Sequence, residues 1–201
     1  MIDDPIFPAT SMPDSDWWQS LWPDADAVVR KLGVVAHMAA LDVCCGDGRF
    51  TPALCRAVAP ARVQAIDLDA DELERARQVC LAEGCENISF VQADVSDLSR
   101  SVSEPQDLVF IANTFHGIPD KAAFARGVRR ILQPEGWLVI VNWHGTAREL
   151  TTVMGQPRGP ATDLRLSPDA CASSIATAGL ALREVIELPP YHYGAVFEMT
   201  T

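Results

Sequence analysis

The chain has no run of basic residues, no apolar segment approaching the roughly 20 residues that a membrane span needs, and no Cys-x-x-Cys pair. Each absence removes a class of function. Sixteen Lys and Arg face 27 Asp and Glu, a net charge of −11. A phosphate backbone demands clustered cations, so nucleic acid is not an expected partner. Arg126, Arg129 and Arg130 recur at helical spacing and read as a solvated face. Met1-Ile2-Asp3-Asp4-Pro5 lacks the basic segment and apolar core of an export leader, so the expected location is the cytoplasm, with no membrane partner. The six cysteines, Cys44, Cys45, Cys55, Cys80, Cys85 and Cys171, show no metal-ligand spacing. No metal is expected, and they read as small core residues of a reducing compartment. A soft-ligand or arsenical site built from Cys44, Cys45 and Cys171 is the alternative.

What the chain does have is 201 residues with 48% apolar content, enough for one domain with a substantial core. Its most informative stretch is Leu41-Asp42-Val43-Cys44-Cys45-Gly46-Asp47-Gly48-Arg49-Phe50-Thr51. An acid within a short apolar run, then Gly-x-Gly, then a helix start is how a nucleotide-binding strand hands over to its helix. The glycines let backbone approach a ligand, and the helix presents unpaired amides. Arg62 to Asp67 reads as a second strand ending in a carboxylate about 20 residues on, where doubly wound folds place the acid that holds ribose hydroxyls. Asn87 to Gln92 is a third strand, ending in Ala93-Asp94-Val95. Position 51 is Thr where a dinucleotide fingerprint wants a third glycine, which argues against a pyrophosphate.

Hydrophobic periodicity alternates between strand and helix along the chain, implying a mainly parallel sheet with helices on both faces. Helices are predicted over Asp24 to Leu32, Phe50 to Val58, Asp69 to Gly84 and Lys121 to Ile131. A further helix is capped by Ser167-Pro168-Asp169 and stopped by Gly179. Strands are predicted over Ala40 to Val43, Val63 to Ile66, Asn87 to Gln92, Asp107 to Ala112, Trp137 to Asn142, Leu182 to Leu188 and Ala195 to Met199. The last two form an antiparallel hairpin. The single domain, 1–201, thus divides into an N-terminal cap segment (1–32), a cofactor-binding core (33–143), a long connection (144–167) and a C-terminal helix and hairpin (168–201). A connection of that length is either a crossing loop or a substrate-covering lid.

Asp42-Val43-Cys44-Cys45-Gly46-Asp47-Gly48, Ile66-Asp67-Leu68, Ala93-Asp94-Val95, Asn113-Thr114-Phe115-His116-Gly117-Ile118-Pro119-Asp120 and Leu132-Gln133-Pro134-Glu135-Gly136-Trp137-Leu138 resemble, in order and spacing, the motifs of class I S-adenosylmethionine-dependent methyltransferases. The likeness is greatest to the small-molecule subgroup that includes the quinone and arsenite methyltransferases. It implies a Rossmann-like, doubly wound, seven-stranded sheet and S-adenosyl-L-methionine as cofactor. It implies Asp42, Cys44, Gly46 and Gly48 at the methionine part, Asp67 and Leu68 at the ribose, Asp94 and Val95 at the adenine, and Asn113 nearby. The family usually has Gly where this chain has Cys44. The reaction implied is direct displacement at the cofactor's methyl carbon, with a small-molecule acceptor and a monomer or homodimer. A nicotinamide oxidoreductase and a non-catalytic cofactor-binding protein are the rival readings. Leu188-Pro189-Pro190-Tyr191 resembles the Asn/Asp-Pro-Pro-Tyr motif of amino-group methyltransferases, but that motif follows the fourth strand, where this chain has Asn113-Thr114-Phe115-His116.

Ligands in such sheets sit beyond the carboxyl ends of the strands. His116, His144 and His192 each follow a different strand there, so they are the candidate catalytic residues, as general base, as metal ligands or as structural groups. Trp18, Trp143, Tyr191, Tyr193 and Arg158 are the candidate acceptor-binding residues, Trp17 and Trp22 being close in sequence. An aromatic wall suits an apolar or cationic acceptor.

Overall fold

The computed structural model describes residues 13–200; Met1–Pro5, read above for a leader, lies outside them. Strands β1 (Ala40–Val43), β2 (Val63–Asp67), β3 (Ile88–Gln92), β4 (Gln106–Ala112) and β5 (Leu132–Trp143) are parallel. Strands β8 (Leu180–Leu188) and β9 (His192–Met199) complete one seven-stranded sheet in the order β3-β2-β1-β4-β5-β9-β8, with β9 antiparallel to both neighbours. The expected doubly wound sheet with a terminal hairpin is therefore present.

Alternation along the strands sorts the core into two layers. Leu41, Val43, Val109, Ile111, Leu138, Ile140, Ala195 and Phe197 pack against α5 (Leu98–Ser101), α6 (Lys121–Ile131) and α7 (Pro168–Ile175). Ala40, Leu108, Phe110, Val139, Val141 and Val196 pack against α1 (Ser15–Leu21), α2 (Ala25–Lys31) and α3 (Thr51–Val58). Successive strand residues point to opposite faces, so β4 and β5 feed both layers and carry the apolar runs Leu108–Ala112 and Trp137–Val141. Burying one such side chain fully contributes about 1.5 to 3 kcal/mol.

Helix starts follow their caps. The Asp69 carboxylate accepts from Asp71 and Glu72 amides ahead of α4 (Ala70–Ala82), Asp120 accepts from Ala123 ahead of α6, and Ser167 accepts from Ala170 ahead of α7, whose first residue is Pro168. Each cap is worth about 1 kcal/mol.

Beyond the additional short helices α1 and α5 and a β8 that begins at Leu180, three elements differ from expectation near the site. β5 begins at Leu132 rather than Trp137: Gly136 lets the strand run close beside β4, where an added Cβ would stand 2.9 Å from the Gln106 carbonyl oxygen. β9 begins at His192 rather than Ala195, because pairing with β5 continues to Trp143. The 144–167 connection is not open loop. It holds two 3₁₀ turns, Arg148–Leu150 and Thr162–Leu164, and a two-rung ladder of β6 (Thr152–Val153) and β7 (Gln156–Pro157). Among the described residues, no helix is long and apolar enough to cross a membrane.

Candidate functional site

The turn after β1 is built on backbone that side chains disfavour. Cys44, Gly46 and Gly48 have φ of 55°, 54° and 86°, all left-handed. Glycine adopts this region freely, but Cys44 carries strain of about 1 kcal/mol or more. The conformation expected of a glycine is kept at Cys44 despite the side chain. Gly48 has a second reason: an added Cβ would lie 2.9 Å from the Ala76 Cα, so α4 closes on the turn only because position 48 has none.

Beneath the turn lies Asp42, 3% exposed. Thr51 Oγ1 donates to its Oδ2 at 2.7 Å, which accounts for Thr at the fingerprint's third position. Burial pushes the Asp42 carboxyl up to about 7, against the pull of that hydrogen bond and with the help of the Asp67 charge. Asp42 therefore supports the turn from below, with its carboxylate already engaged.

Asp67 closes β2 and faces the turn. Its Oδ2 accepts from the Gly46 amide at 2.9 Å and its Oδ1 from the Asp69 amide at 3.0 Å. A carboxylate has about four lone-pair sites, so one acceptor position per oxygen remains. Two acceptors on one planar group match a vicinal diol. Leu68 follows, its carbonyl accepting from Gln92 Nε2 at 3.0 Å. Asp94 Oδ1 accepts from Ser96 N–H at 2.8 Å, folding a 3₁₀ turn that buries Val95. Asn113, at the end of β4, has a φ of 60°, and both its amide atoms are buried without partners. So is Asp47 Oδ1. Orphaned polar groups of this kind cost about 1 to 3 kcal/mol each, and here they cluster with the strained turn and the spare capacity of Asp67. The residues fit a nucleoside bearing a ribose diol and polar base.

The histidines divide between the two faces of the sheet. Asn142 pairs with Tyr193, and Trp143 with His192, across β5 and β9. His116 Nδ1 lies 3.2 Å from Asn142 Oδ1, and the His144 ring packs on Tyr193 with centroids 5.0 Å apart, so these two share one face. His144 Nε2 also lies 3.0 Å from Glu187 Oε2. His192 is on the other face, its ring 4.4 Å from Trp22 and 4.1 Å from Trp143. It is 1% exposed, with both nitrogens buried and unpartnered. Burial holds His116 down to about 4 and His192 well below its usual range. Both are neutral at physiological pH. Among the described residues, no group of three His, Cys, Asp or Glu could hold a metal ion. Cys44 and Cys171 are shifted upward by burial, Cys171 to about 12, so both are thiols rather than thiolates.

The aromatic candidates also hold the 144–167 segment. Tyr191 stacks on Trp143 at 6.0 Å, and its hydroxyl donates to the Thr152 carbonyl at 2.8 Å. The Tyr193 hydroxyl donates to the Leu166 carbonyl at 3.1 Å. The Arg158 guanidinium lies 5.3 Å from the Trp17 ring. Trp18 is buried, with its indole nitrogen unpartnered. Sequence reasoning passed over Arg165, which organises this region. It donates to the carbonyls of Pro160, Thr146 and Arg158 and to Thr151 Oγ1, all at 2.9 to 3.1 Å, beside the Trp143 ring. Its signal in sequence was slight, a lone arginine late in a polar connection.

Residues 40–136 match the family model described as a methyltransferase domain. A demethylmenaquinone methyltransferase of Staphylococcus aureus (strain JH9) is 33% identical over 113 residues, 56% of this chain and 46% of that protein. The match thus spans about half the length of the curated relatives. Among solved structures, a SAM dependent methyltransferase from Aquifex aeolicus has a TM-score of 0.77 at 23% identity, covering 92% of this chain and 93% of the other. The CcbJ methyltransferase from Streptomyces caelestis has a TM-score of 0.71 at 16% identity, covering 96% and 93%. These likenesses show a common fold. The fold is the Rossmann-like one of these structures. Within residues 40–136 the chain is similar to a methyltransferase domain.

Proposed function

We propose that this protein transfers the methyl group of S-adenosylmethionine to a small-molecule acceptor by direct displacement, in the cytoplasm, as a monomer or homodimer. The observation that carries the reading is the Asp67 carboxylate, which is fixed by the Gly46 and Asp69 amides yet keeps one acceptor site free on each oxygen. Asp67 would hold the ribose hydroxyls, Asp94 and Val95 the adenine, and the Cys44–Gly48 turn and Asn113 the amino-acid end. The cofactor supplies an electrophilic methyl on a sulfonium. The protein's part is alignment and exclusion of water, where good orientation contributes up to about 7 to 11 kcal/mol.

The acceptor would enter beside Trp18, Trp143, Tyr191, Tyr193 and Arg158, with His116 and His144 as the polar groups nearby, while the buried His192 packs on the opposite face. The 144–167 segment would form one wall, held by Arg165. The relative named for demethylmenaquinone methylation favours a small organic acceptor over a macromolecule, as does the absence of a basic run. Release of S-adenosylhomocysteine from S-adenosylmethionine, measured with panels of phenols, amines, thiols and arsenite, tests the proposal. Acceptor-dependent release above background supports it. Tight cofactor binding with no turnover on any panel favours a binding protein instead.

A further inference from the structure

His116 and Asn142 lie within hydrogen-bonding distance, but the sense of the bond is set one residue further on. The Tyr193 hydroxyl has a single proton, and it goes to the Leu166 carbonyl at 3.1 Å. Toward Asn142, its partner across the two strands, the hydroxyl can offer only lone pairs. The Asn142 amide end on that side is therefore the NH₂, which lies by Tyr193 without completing a hydrogen bond. Reversing the amide would set two acceptors against each other. Oδ1 is left facing His116 Nδ1 at 3.2 Å, so Nδ1 carries the ring proton and Nε2 carries the lone pair. Nε2 receives no hydrogen bond from the described residues, and unlike both nitrogens of His192 it is not sealed without a partner.

The geometry points to Asn142 and Tyr193 as positioning residues that present His116 Nε2 as a fixed hydrogen-bond acceptor, so that the methyl acceptor must carry a hydrogen on its reacting atom, as a hydroxyl or amine does. The substrate class rests on the methyl-transfer reading; the tautomer does not. Charged and titratable groups facing His116 keep the ring neutral. Lys121 of α6 donates to the His116 and Ile118 carbonyls at 3.2 and 2.8 Å. Burial is the main cause of its lowering, the Asn142 hydrogen bond acts against it, and the charges of Lys121 and of Arg165 in the 144–167 segment add to it. A ring titrating near 4 is a weak base, so its part is to orient the acceptor. The oxygen or nitrogen lone pair then forms the bond to carbon, the carbon–sulfur pair leaves with sulfur, and the surplus proton passes to water. A thiolate would set its own lone pair against that of Nε2.

Long-range proton–nitrogen correlation spectra of histidine-labelled protein, assigned with His116→Gln, read the tautomer directly. At pH 7 the wild type should show a lone-pair Nε2 and a protonated Nδ1; the reverse tautomer overturns the inference. Tyr193→Phe frees the Asn142 amide and should give a mixture of tautomers. Asn142→Asp should raise the His116 titration by at least one pH unit, and an unmoved titration in folded protein contradicts the contact. If Asn142→Asp does not fold, Tyr193→Phe still decides. Calorimetry with S-adenosylhomocysteine separates failure of the cofactor reading from failure of this one. Turnover on phenols or amines supports the substrate class, and turnover on arsenite alone, whose arsenic carries no hydrogen, refutes it.

Discussion

Replacing Thr51 by Val removes one hydroxyl, nearly preserves shape, and leaves the buried Asp42 carboxylate without its 2.7 Å donor. The cost should depend on pH. When Asp42 is protonated, the lost bond is between neutral groups and is worth about 1 kcal/mol; when Asp42 is ionised, it is worth about 2 kcal/mol or more. The folded pKa of Asp42, about 7, is raised from 3.8. Stability linked to this group is thus fully present below about pH 4 and is lost as pH rises through 7. Without Thr51 the carboxyl titrates higher still, so the variant loses more over the upper part of that window. His116 and His192, both lowered, act in the opposite sense: their contribution is present above about 6.5 and lost as pH falls. The difference between variant and wild type cancels them. Urea unfolding followed by tryptophan fluorescence should give a Thr51→Val destabilisation near 1 kcal/mol at pH 5.5 and larger by about 1 kcal/mol at pH 8.5. Equal values at both pH would refute the assignment of Asp42 as a buried, Thr51-stabilised carboxyl.

Gly48→Ala meets both a φ of 86° and the α4 backbone, whereas Gly84→Ala meets a φ of 71° in open space. The first should cost about 2 kcal/mol or more and lower the melting temperature by about 4 to 8 °C, the second roughly half as much; calorimetric scans compare them. Arg165→Met removes four hydrogen bonds from one buried side chain. Limited proteolysis should then cut within 144–167 at least tenfold faster while the rest of the domain stays resistant.

The parts legible in sequence were those carried by local chemistry. Acids at strand ends, glycines in the turn and caps before helices each act within a few residues, so the sheet and the Asp42–Asp67 region could be read directly. The histidines were placed correctly at the carboxyl edge, but the face each occupies depends on the pairing register of β5 with β9, and a shift of one residue inverts it. Thr51 was read only as a missing glycine, because its pairing with Asp42 closes across the turn. Arg165 was missed for a similar reason. Its acceptors at 146, 151, 158 and 160 converge only once the connection has folded around Trp143. Gly159 permits that approach, since an added Cβ would stand 2.7 Å from the Trp143 ring.

The central claim is that Asp67, fixed by the turn, receives the ribose of S-adenosylmethionine. Titration calorimetry with S-adenosylhomocysteine tests it most directly, using wild type and Asp67→Ala alongside NADH, with circular dichroism to confirm that the variant folds. Loss of a carboxylate accepting two hydroxyls should weaken binding at least tenfold, about 1.4 kcal/mol, and NADH should produce no binding heat. Undiminished S-adenosylhomocysteine affinity in a folded Asp67→Ala protein, or binding of NADH in its place, would contradict the account.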